Sequence, residues 1–106
     1  MNALDFSAQE QAHALEVSVE ACWADAGDFT LCDSKIELDA YPVKGLVYGN
    51  RAGEAEVEPG AVVADVRVMA YSRTGNTFTI RRDETGRLTR TCTSSGNRLC
   101  RTDGTW

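Results

Sequence analysis

Two hydrophobic periods divide this chain. From the N-terminus, Leu4, Ala8, Ala12, Leu15, Val19 and Cys22 recur at spacings of three and four, which builds one apolar stripe on a helix. Glu10, Gln11, Glu16 and Glu20 fall mostly off that stripe. Ser7 with Glu10 has the form of a capping box and Gly27 is a natural stop, so the pattern predicts a helix over about 7–26. After residue 60 the period changes to two. Val62, Ala64, Val66, Val68 and Ala70 share one apolar face, and Asp65, Arg67 and Tyr71 fall on the other. Arg73–Asn76 reads as a turn, TFTIRR as a strand with Phe78 and Ile80 on one face, Asp83–Gly86 as a second turn and RLTRTC as a third strand. Connections this short make an antiparallel meander.

The region between these blocks, 28–60, reads as irregular and is punctuated by Pro42, Gly45, Gly49, Gly53, Pro59 and Gly60. Lys35–Leu38 and Leu46–Tyr48 are strand-like and are expected to add to a sheet edge. Glu54–Glu58 alternates acids with Ala55 and Val57 and is expected to be solvated.

Four cysteines fall into two local pairs. Spacings of ten and eight do not match the close knuckles of a zinc site, and no CxxC motif or positioned base marks a reactive thiol. Two disulfides are the better reading. Of the three connectivities, Cys22–Cys32 with Cys92–Cys100 is favoured, because each closes a short loop within one structural element. Each loop would contribute roughly 2–3 kcal/mol by chain entropy. The expected architecture is therefore α+β. One N-terminal amphipathic helix packs on an antiparallel meander of three to four strands, and a disulfide-bounded C-terminal loop closes a single domain over 1–106. Within it, 28–60 is a variable loop region and 61–106 holds the meander and closing loop. Disulfides place the chain outside the cytosol.

Charge sharpens this picture. The net charge of −5 hides an asymmetry: residues 1–70 carry thirteen acids and four bases, and residues 71–106 carry seven arginines and three acids. A molecule polarised in this way can attract its own copies head to tail. Nucleic-acid binding is unsupported, since the total charge is negative and no base-stacking motif accompanies the arginines. No apolar run is long enough to span a membrane, and no signal peptide is visible.

Individual candidates for chemistry are weak. His13 lies on a charged helix with no nucleophile near it in sequence. Asp25 and Asp28 lack the spacing of a calcium loop and read as helix-end residues. Trp23 is expected to pack near the Cys22 bridge and Trp106 on a sheet edge. Phe29, Tyr41 and Tyr48 are expected in the core rather than on an adhesive surface. GNRAGEAEVEPG is acidic and lacks the Lys-Ser/Thr of a phosphate loop. No metal or cofactor is expected, and no catalytic nucleophile, base and oxyanion arrangement can be assembled.

The segments VEACWADAGDFTLC and VRVMAYSRTGNTFTIRRDETGRLTRTCTSSG, followed by a C-x-x-x-G-T-W ending, together resemble the globular domain of actinobacterial type IV pilin-like proteins, over Leu15 to Trp106. The resemblance implies a structural subunit that polymerises with other pilins at the cell surface. An N-terminal hydrophobic helix, absent from this sequence together with the family's processing site, would anchor it in the membrane before assembly. Residues 37–58 match nothing in the family pattern, which leaves open a major pilin, a minor pilin or a pseudopilin of a secretion or DNA-uptake machine. Arg81, Arg82 and Arg87 are the candidate subunit-interface residues. The alternative is a small secreted binding or adhesion module. Binding to DNA or to a host surface has no support in the residues.

Overall fold

The computed structural model describes residues 3–58, 62–93, 99–101 and 103–106. Pro59, Gly60 and residues 94–98 of the closing loop, named above, lie outside these. The chain opens with α1 (Ala3–Ala26), followed by a 3-10 turn (Phe29–Leu31) and a one-turn helix α2 (Lys35–Leu38). Then come β1 (Ala55–Val57), β2 (Val66–Tyr71), β3 (Thr77–Arg82) and β4 (Leu88–Cys92). The four strands form one antiparallel sheet in the order β1-β2-β3-β4, and α1 lies across β1, β2 and β3.

The helix stripe does what its period implies, with one correction. Ala8, Ala12, Leu15, Val19 and Cys22 are buried, but Leu4 is 43% exposed. The helix begins at Ala3 rather than at Ser7, so Ser7 lies within it and caps nothing. The extra turn carries Asp5 into the interior at 2% exposure, where its carboxylate accepts a 2.6 Å hydrogen bond from the Thr74 hydroxyl. That bond anchors the start of α1 to the β2–β3 turn. Gly27 ends the helix as expected: its φ of +68° is open to glycine, and its N–H donates to the Trp23 carbonyl at 2.8 Å.

The meander follows the alternation closely. Val66, Val68 and Ala70 of β2 and Phe78 and Ile80 of β3 point at α1 and are buried. Val68 pairs with Ile80 and Ala70 with Phe78 across the ladder. Val62 stays exposed, because β2 starts only at Val66. Both turns are closed by short backbone bonds, Gly75 to Ser72 at 3.0 Å and Gly86 to Asp83 at 2.9 Å.

Region 28–60 departs most from expectation. Lys35–Leu38 is a helical turn, not a strand. Ser34 caps it: its hydroxyl accepts from the Glu37 N–H, while the Glu37 carboxylate accepts from the Asp33 N–H. The 54–58 stretch is not merely solvated but contains β1. Ala55 and Val57 are buried under α1, and Glu56 faces outward, accepting from the Tyr71 hydroxyl at 2.7 Å. Leu46–Tyr48 forms no regular strand. Tyr48 makes a single parallel bridge to Ala55, which extends the β1 edge. Gln11 holds this segment against α1 through bonds to the Gly45 carbonyl and the Val47 N–H.

Replacing a fully buried stripe residue should remove both transfer energy and packing. Leu15→Ala is expected to lower stability by about 2–5 kcal/mol. Leu4→Ala, at the exposed start of the same sequence pattern, is expected to cost less than about 0.5 kcal/mol. Urea unfolding of both variants measures the contrast.

Candidate interaction surfaces

Both disulfides are present in the pairing Cys22–Cys32 and Cys92–Cys100, each with its Cα atoms 5.9 Å apart. The first ties the end of α1 to the residue after the 3-10 turn. There Trp23 stacks on the buried Phe29 with ring centroids 4.2 Å apart. Asp28 caps the 3-10 turn by accepting from the Thr30 N–H at 2.9 Å. Asp25 accepts from the Tyr41 hydroxyl at 2.9 Å. Both aspartates thus have local structural work, and Tyr41 and Tyr48 are partly buried against the core.

The second disulfide closes the ring from which the C-terminal tail turns back onto β4. The Cys92 N–H donates to the Gly104 carbonyl at 2.8 Å, and Thr105 bridges Thr91. Trp106 then lies over the sheet, edge-on to Phe78 at 5.5 Å and to His13 at 5.4 Å, and its indole N–H donates to the Thr91 carbonyl at 2.9 Å. The Arg90 guanidinium sits 5.4 Å from the indole centre. His13 is accordingly a groove residue, with Glu16 at 3.8 Å as its charged neighbour.

The three interface arginines have different surroundings. Arg81 grips Asp65 with two nitrogens, at 3.2 and 2.6 Å. Arg82 pairs with Glu20 of α1, and its guanidinium lies 5.8 Å from the Phe29 ring and 6.0 Å from Trp23. Both side chains therefore serve this chain's own packing. Arg87, just before β4, makes no ion pair among the described residues, and neither does Arg90. Sequence reasoning could not separate these arginines, because their partners Asp65 and Glu20 lie 16 and 62 residues away.

Exposed apolar side chains mark two further places. Leu88 and Arg90 face the helix side of the sheet, opposite Arg82 and Ile80, but α1 does not cover them. Leu88 is 43% exposed, and with Arg90 and Trp106 it lines a shallow open groove. At the other sheet edge, Ile36 on α2 is 86% exposed, the most of any large apolar side chain among the described residues. The sequence signal that could have found Ile36 is the S-x-x-E pattern of Ser34 and Glu37, which makes the segment a helical turn with Ile36 on its outer side. Among the described residues, no group of three or more His, Cys, Asp and Glu is placed to hold a metal ion.

The outward sheet face is polar, with Asp65–Arg81 and Glu58–Arg67 pairs bracketing Met69 and Thr79. Hydrogen bonding from Arg81 holds the Asp65 carboxyl below its ordinary value of 3.8, against a smaller opposing effect of burial. A depressed folded-state pKa gives stability that is present above the unfolded value and lost as pH falls through the folded one. Asp65→Asn is therefore expected to cost at most about 1 kcal/mol at neutral pH. Its penalty should shrink as the pH falls below the ordinary carboxyl value of 3.8 and vanish once Asp65 itself is protonated in the parent chain. Thermal unfolding of both proteins across that pH range checks this. A search of family models, curated proteins and solved structures finds no match to this chain.

Proposed function

We propose that this domain is a subunit of an extracytoplasmic filament of the type IV pilin kind. The carrying observation is the disposition of α1. It runs lengthwise on an antiparallel sheet, from Asp5 at Thr74 to Glu20 at Arg82. Its first turns leave Leu4, at the end of the sheet-facing stripe, and Phe6, on the opposite side of the helix, exposed at 43% and 44%. Apolar side chains at the start of a helix are buried most simply by the helices of neighbouring subunits. Two features of the molecule fit the same reading. The disulfides suit an oxidising setting outside the cytosol. The tail that follows the second disulfide is fastened to β4, so the end of the chain does not fray from a fibre that bears load.

The proposal requires an apolar helical segment encoded upstream of Asn2. Antibody raised against the domain is expected to label sheared surface filaments along their length in cells that carry the native gene. Deleting the gene should remove those filaments. A protein found only as free monomer in the culture medium, with no labelled filaments, would overturn the proposal and favour a secreted binding module.

A further inference from the structure

The filament reading leaves open how one globular domain meets the next, and the surface supplies an answer that deepens that reading. We propose that successive copies join head to tail, with the Ile36 turn of one copy docked in the open β4 groove of the next.

The two surfaces complement one another in charge and in apolar content. Ile36 stands at 86% exposure on α2, and Leu31 at 51% in the 3-10 turn just before it in sequence. Asp28, Asp33, Glu37 and Asp39 surround it in sequence, and the one cation, Lys35, is already paired with Asp39 at 3.2 Å. This is an acidic knob with an apolar tip. The β4 groove is its counterpart: an apolar floor of Leu88 and Trp106, lined by Arg90 and followed at its end by Arg87, the residue before β4, both free of ion pairs among the described residues. Arg81 and Arg82 are neutralised within the chain, so the positive charge beside the groove is that of Arg87 and Arg90.

Topology decides that the occupant is a second copy. The α2 turn packs beside Tyr48, whose hydroxyl accepts from the Val57 N–H of β1, so the knob belongs to the β1 side. The order β1-β2-β3-β4 puts the groove at the opposite edge. The knob cannot reach the groove of its own chain. Two different surfaces on opposite edges make a heterologous contact, which propagates instead of closing into a dimer. A contact framed by opposite charges also weakens with salt.

The 106-residue chain itself tests this by sedimentation at about 1 mM, the effective concentration that tethering in a fibre supplies. The average mass is expected to climb with concentration without reaching a plateau, and to fall toward the monomer at high salt. Ile36→Asp and Leu88→Asp should each remain monomeric, since each loses one surface. Their equimolar mixture should form a 1:1 dimer and nothing larger, because only the intact knob of one variant meets the intact groove of the other. That dimer also shows that both variants are folded. A monomeric parent chain, a parent that stops at a closed dimer, variants that associate like the parent, or a mixture that stays monomeric would each overturn the proposal. Labelled filaments in cells together with a monomeric domain in solution would retire this contact and leave the filament standing. Association in solution without filaments would do the reverse.

Discussion

One helix must cover four strands, and it cannot. Neighbouring strands lie about 4.8 Å apart, so the outer strands of a four-stranded sheet are roughly 14 Å apart, whereas a helix with its side chains is about 10–12 Å wide. Here α1 lies on β1, β2 and β3 and leaves the helix-side face of β4 uncovered. Small residues lie in the layer between them: Ala12 on the helix and Ala55 and Ala70 on the strands are all fully buried. The apolar filling comes from Leu15, Val19, Val68, Phe78 and Ile80.

The rest of the molecule can be understood as the management of the two sheet edges. On the β1 side, the loop from Tyr41 to Tyr48 is drawn along α1 by bonds to Ser18 and Gln11, and Tyr48 extends the edge by one bridge. On the β4 side, the second disulfide turns the tail back, so that Thr105 pairs with Thr91 and Trp106 covers Phe78. This cover reaches only the end of β4 near Cys92. At the other end Leu88 and Arg90 remain open, and an open strand edge in a stable protein calls for a partner or a guard. The arginine at Arg87 supplies charge beside it.

Much of this could be read from the sequence where a single period dominated. The stripe from Ala8 to Cys22 and the alternation of Val66–Ala70 and Phe78–Ile80 each follow from one burial direction, and the cysteine pairs from short loops. Three features resisted for identifiable reasons. At β1, the glutamates of GEAEVE obscured a strand whose period of two was intact, since Glu56 needs only the outward face and a Tyr71 partner. At α2, β-like residues masked a capping pair, Ser34 and Glu37, that decides the local structure. At the start of α1, Asp5 replaces Leu4 in the interior because Thr74, 69 residues away, offers a hydroxyl. The candidate surfaces were the least legible part, because exposure at Ile36 and Leu88 depends on what the tertiary fold fails to cover.

The division of labour between helix and stapled tail is tested most directly by hydrogen exchange with and without the second bridge. In a Cys92→Ser/Cys100→Ser variant, amides of residues 88–92 are expected to lose most of their protection, while those of α1, β2 and β3 keep theirs. Unchanged protection in β4, or loss spread evenly over helix and sheet, would contradict the view that α1 holds three strands and the tail holds the fourth.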